Sequence, residues 1–154
     1  MLRAEPYSLF SWDYVVYDGE VAVADIDVAW LRERAIVDIG DLACEVKREG
    51  WGSKGYTFEA GGQRLMRAVK PSAFFRRYEV TVGGDAYVLE AQSAFRRTFV
   101  LRTMDGVVLG TIAPDHPFTR RMRIDLPEAL PLAVRVFLVW LVIVQWRRAA
   151  SAGG

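Results

Sequence analysis

A chain of 154 residues, 52% hydrophobic and 25% charged, has room for one domain with a buried core and is too apolar to be disordered. Its lone cysteine, Cys44, excludes an internal disulfide and paired-cysteine metal sites, and a lone histidine excludes most His-based ones. The formal net charge of +1 hides a split, since residues 1–59 hold 12 acidic and 6 basic side chains while residues 60–154 hold 7 and 14. A total so near neutral speaks against a nucleic-acid partner. The asymmetry fits either a basic binding face or two halves that attract each other across the fold.

From the N-terminus, Met1–Ser8 has no apolar run of the signal-peptide kind, and together with Cys44 this points to a cytoplasmic protein. Strands are expected over about residues 7–126. The first third offers Leu9–Tyr17, Val21–Asp27, Ala35–Ile39 and Leu42–Arg48, with Asp18-Gly19 and Gly40-Asp41 as turns. The middle reads as hairpins: Tyr56–Ala60 with Gln63–Val69, Tyr78–Val82 with Asp85–Ala91, and Phe99–Thr103 with Val107–Ile112. Their Gly-Gly and Asp-Gly turns supply the positive φ that two-residue hairpin loops require. Arg121–Leu126 follows a loop at Pro114–Phe118, which makes eleven strands, with room for a twelfth near Tyr7–Trp12.

The hairpins repeat. Ser72–Tyr78 (SAFFRRY) and Ser93–Phe99 (SAFRRTF) are near copies 21 residues apart, and two strands with two turns account for that period. Beyond Pro127 and Pro131, Leu132–Trp146 is apolar on every helical face apart from Arg135 and Gln145. The helix is expected over about residues 130–148, with 149–154 a frayed tail. Such a helix must be enclosed by protein or by lipid. A bilayer span needs about 20 apolar residues, and here the run unbroken by a charge or an amide is only Val136–Val144. A barrel of about twelve strands leaves a lumen that needs filling. The expected fold is therefore mainly β, a closed antiparallel barrel of about twelve strands around a central hydrophobic C-terminal helix.

The repeated Ser-Ala-Phe-Arg-Arg hairpins, the segment Asp105–Ile112 (DGVVLGTI) and the terminal helix give the chain a resemblance to the tubby-like superfamily, over about residues 7–148. It is most similar to small bacterial proteins of the LURP-one-related and phospholipid scramblase-like kind. The resemblance implies a twelve-stranded barrel around a hydrophobic helix and a link to phospholipid. The basic positions through which tubby domains bind phosphoinositides find no residue-by-residue match here. Scramblase features are also missing: there is no cysteine cluster or proline-rich arm, and Asp115, Asp125 and Glu128 are too scattered for the calcium segment. Calcium-driven scrambling is not implied.

Among individual residues, His116 in Pro114-Asp115-His116-Pro117 has no nucleophile tied to it by a recognisable motif and reads as a loop histidine. Cys44 reads as a small buried hydrophobe. The glycine pairs read as turns and not as phosphate loops. Trp51, Tyr56, Phe74, Phe75, Tyr78, Phe95 and Phe99 suit base stacking, but as strand-opening positions they read as core. Arg76-Arg77, Arg96-Arg97 and the set Arg120, Arg121 and Arg123 each fall just before or within a strand, and in the repeat two arginines follow an aromatic at the same point, which would collect them along one rim. Guanidinium groups grip phosphate oxygens. The alternative is that they pair with the acidic Asp25, Asp27, Glu33 and Asp38. The expected function is a non-enzymatic module without metal or cofactor, meeting anionic lipid headgroups or the inner membrane face through that rim. The alternative is a protein-interaction or structural barrel with no small ligand.

Overall fold

Strands one side chain in, one side chain out are what this sequence builds, and they close into a ring. The structure is a computed structural model that describes residues 1–29, 33–49, 55–72 and 75–153. Twelve strands follow in chain order: β1 (Leu2–Pro6), β2 (Tyr14–Asp18), β3 (Val21–Ala29), β4 (Arg34–Ile39), β5 (Leu42–Arg48), β6 (Gly55–Ala60), β7 (Gln63–Val69), β8 (Arg77–Val82), β9 (Asp85–Ala91), β10 (Phe99–Thr103), β11 (Val108–Pro114) and β12 (Met122–Asp125). Each pairs antiparallel with its neighbours in sequence, and β1 closes the barrel against β12 through Leu2↔Ile124, Arg3↔Arg123 and Ala4↔Met122. Closure leaves no unpaired strand edge for another chain to extend. Register shifts leave one extra residue on β3 (Val23), β7 (Leu65) and β11 (Leu109), and such bulges add the local bending that a closed sheet needs.

The helix α1 (Leu132–Ala152) fills the lumen, and its side chains from Val136 to Trp146 are all buried. They join the inward residues of the strands in one cluster, with Phe137 against Phe58 and Trp140 edge-on to Tyr56. An all-round apolar helix is stable here because apolar side chains surround it on every side. Arg135 lies near its start and donates from Nε to the Leu130 carbonyl at 3.0 Å, which serves a backbone acceptor and keeps the charge at the mouth. No helix of the described residues is long and apolar enough to cross a membrane.

Three expectations are corrected. The twelfth strand is Leu2–Pro6, and residues 7–13 form a loop. Leu2 and Ala4 alternate into the core, whereas the Ser11 hydroxyl accepts from the Asp13 N–H two residues on, a local bond that favours turns. Residues 149–152 are helical, because alanine and serine present no break before Gly153. In the Gly83-Gly84 turn only Gly83 has positive φ, +58°.

The barrel has two unlike ends. Odd-to-even connections (β1–β2, β7–β8, β9–β10, β11–β12) are long loops on one end, and even-to-odd connections are short turns on the other. The helix enters from the short-turn end and finishes among the long loops.

Candidate functional site

Three of the long loops share one architecture. The β1–β2, β9–β10 and β11–β12 loops each centre on a phenylalanine: Phe10, Phe95 and Phe118. Each is closed by a backbone bond from the residue three before the phenylalanine to the residue three after it: Tyr7 N to Asp13 O (3.0 Å), Gln92 N to Thr98 O (2.8 Å), Asp115 N to Arg121 O (3.0 Å). Within each loop three carbonyls converge on a guanidinium supplied by the preceding loop around the rim.

Arg76 donates to the carbonyl oxygens of Ser93 (2.7 Å), Ala94 (3.1 Å) and Arg96 (2.9 Å). Arg97 donates to those of His116 (3.3 Å), Pro117 (2.6 Å) and Thr119 (2.7 Å). Arg120 donates to those of Ser8 (2.8 Å), Leu9 and Ser11. The acceptors stand in every case two before, one before and one after the phenylalanine. A planar fork of donors suits such a cluster in a way an ammonium does not. The reverse face of each guanidinium lies over a ring: Arg76 over Phe99, Arg97 over Trp146 of the helix at 4.7 Å, and Arg120 over Trp12 at 4.8 Å. Burial lowers the Arg97 pKa from its usual value.

The seven arginines of the rim therefore have different roles. Arg76, Arg97 and Arg120 are occupied by backbone. Arg123 lies 3.5 Å from Asp115, and Arg77 lies 3.9 Å from Glu79. The side chains of Arg96 and Arg121 are exposed and make no ion pair or hydrogen bond among the described residues. None of the seven pairs with Asp25, Asp27, Glu33 or Asp38. Arg148 takes Glu33 instead, bidentately at 2.6 and 2.8 Å, and also donates to the Tyr56 hydroxyl. Burial works against the Glu33 carboxylate, yet the hydrogen bonds from Arg148 and Tyr56 prevail and hold its pKa below the ordinary value. Beneath this latch Gln145 bonds the Tyr78 hydroxyl at 2.6 Å, and burial pushes that phenol up to about 12.

The aromatics also divide. Tyr56, Tyr78 and Phe99 are core as expected, but Phe95 is 97% exposed and Phe75 70%, in company with Phe10 at 89% and Phe118 at 96%. They lie on loop tips, outside the inward alternation of the strands. Trp51 and Phe74 lie outside the described residues. An apolar groove of about 730 Å³ separates the β7–β8 and β9–β10 loops, with Phe75, Arg77 and Ala94 among its walls. His116 is exposed in its loop, and Cys44 is buried, which raises its thiol pKa.

No family model matches this chain, and neither curated proteins nor solved structures yield a match. Among the described residues no group of three or more His, Cys, Asp or Glu side chains is placed to hold a metal. The exposed phenylalanines were missed as surface residues, although one signal for them was present. In Phe95-Arg96-Arg97 and Phe118-Thr119-Arg120 an arginine follows two residues after the ring, and only that arginine is clipped.

Proposed function

We propose that this chain is a non-enzymatic binding module whose loop end meets an anionic membrane surface, with Arg96 and Arg121 gripping headgroup phosphates. One observation carries this: at a rim where the other arginines of the set are engaged, these two stay exposed and unpaired. An unpaired guanidinium costs nothing to strip of a partner, and each basic residue near an anionic surface contributes about 1 kcal/mol. The tubby-like resemblance belongs to the same proposal, since a twelve-stranded barrel around a C-terminal helix is the architecture it implies. A cytoplasmic protein peripheral to the inner membrane face follows from it.

Co-sedimentation with vesicles, with and without phosphatidylserine, tests the proposal. Replacing Arg96 and Arg121 with Ala is expected to weaken binding by about 2 kcal/mol, roughly thirtyfold, at low salt, with an unchanged melting temperature. Wild-type protein that ignores anionic vesicles at low salt would sink it. A protein-interaction barrel is then the better reading, because exposed phenylalanines also serve as anchors in protein interfaces.

A further inference from the structure

Phe10, Phe95 and Phe118 do nothing for the fold. Their rings are outside the core, yet the backbone under each is among the most heavily bonded at this end of the barrel. A loop that only has to reverse the chain uses small or polar residues at its tip. Here each tip is a phenylalanine with its ring in solvent. The carbonyls beside it are turned inward to an arginine, so the loop is bonded to its neighbour beneath an outward-facing ring. The three loops are neighbours around the rim, because β1 closes against β12, and the β7–β8 loop with Phe75 adjoins them. Large apolar side chains exposed together at one end of a fold mark a contact surface.

Charge narrows the choice of partner. The β9–β10 loop, Gln92–Thr98, contains no acidic residue and carries the unpaired Arg96 beside Phe95. The acidic residues of the other two loops sit at their bases and are engaged: Asp13 accepts from Val28 N at 2.8 Å, and Asp115 lies by Arg123. What faces outward at Phe95 and Phe118 is thus an apolar ring with a free cation beside it, Arg96 and Arg121, while the Phe10 loop borders the carboxylates of Asp25, Asp27 and Asp38. That combination matches the boundary layer of a bilayer, where phosphates lie just above acyl chains.

We infer that Phe10, Phe95 and Phe118 are insertion anchors that enter the interfacial layer of a fluid, anionic bilayer, so that the ligand of the loop end is a membrane and not a soluble phosphate. The inference rests on the membrane reading of the loop end and adds depth and orientation to it. The barrel stands with its long loops and the helix C-terminus toward the lipid, and its short turns remain in water. Binding then has two parts: a salt-sensitive one from the arginines and a salt-resistant one from the rings.

Two measurements on the full chain test this. In a Cys44→Ala background, Phe118→Cys and Asp85→Cys are each labelled with an environment-sensitive fluorophore and mixed with phosphatidylcholine–phosphatidylserine vesicles. The label at 118 is expected to shift to the blue and to be quenched by lipids with a nitroxide high on the acyl chain, and the label at 85 to do neither. The triple variant Phe10→Ser, Phe95→Ser, Phe118→Ser is expected to melt like wild type and to lose at least about tenfold in vesicle affinity, a loss that persists at high salt. If the vesicles bind wild type but the label at 118 stays unshifted and the triple variant binds normally, insertion is wrong and headgroup binding survives. If wild type does not bind anionic vesicles at low salt, both fall and the loop end belongs to a protein partner. If inorganic phosphate competes fully with vesicles, the ligand is soluble and insertion is again wrong.

Discussion

Removing the Arg97 guanidinium leaves the carbonyl oxygens of His116, Pro117 and Thr119 facing one another without a donor. It also uncovers the Trp146 ring. Arg97→Ala is therefore expected to cost about 2 kcal/mol in urea unfolding, since hydrogen bonds from a charged donor are worth about 1.5–3 kcal/mol. Arg96→Ala next door should stay within about 0.5 kcal/mol. Equal effects for the two would contradict the division of the rim. The sequence displays both arginines alike, and the reason is physical. An arginine bound to an acid has a complementary residue type somewhere in the chain, whereas backbone carbonyls are present everywhere and leave no mark. The rim itself was legible from the repeat, but the role of each of its members was not.

Gly110 lies in β11 just beyond its paired register with β12, and a Cβ there would overlap the carbonyl oxygen of Asp125. Backbone on a neighbouring strand cannot swing aside as a side chain can. Gly110→Ala should consequently lower stability by about 1–3 kcal/mol, the usual cost of forcing extra volume into a packed site. Gly84→Ala, in open space and without left-handed φ, should barely move the melt. A thermal scan of the two variants checks the contrast. Within the strands, alternation made the pattern readable: β5, β7, β9 and β10 run between the expected residues. Leu2–Pro6 (LRAEP) escaped because only two inward residues and no β-branched side chain mark it. The helix was readable from its apolar content, and its last turn was not, since Ala149-Ala150-Ser151-Ala152 resembles a tail in composition.

At the scale of the whole molecule, the latch between Glu33 and Arg148 ties the end of the helix to the barrel rim. Glu33 titrates below the ordinary range when folded. Its contribution is therefore complete above the unfolded carboxylate pKa of about 4.3 and is lost as pH falls through the lower folded value. Glu33→Gln should be less stable than wild type by about 1–3 kcal/mol at pH 7. The two should converge as pH falls below the ordinary carboxylate range, and a gap that stays constant through that fall would show the carboxylate charge to be irrelevant. The enclosed helix has one more consequence, for how the protein comes into being. On a ribosome the filling of this barrel is made last, after all twelve strands that surround it. Until then the nascent sheet has its apolar face bare and the edges of β1 and β12 unmated, the condition in which chains associate wrongly. Joining β1 to β12 across nearly the whole chain is a contact of very long range, and such contacts form slowly. The ring can shut only around a finished helix, so the pairing of β1 with β12 waits on a segment translated after both of them.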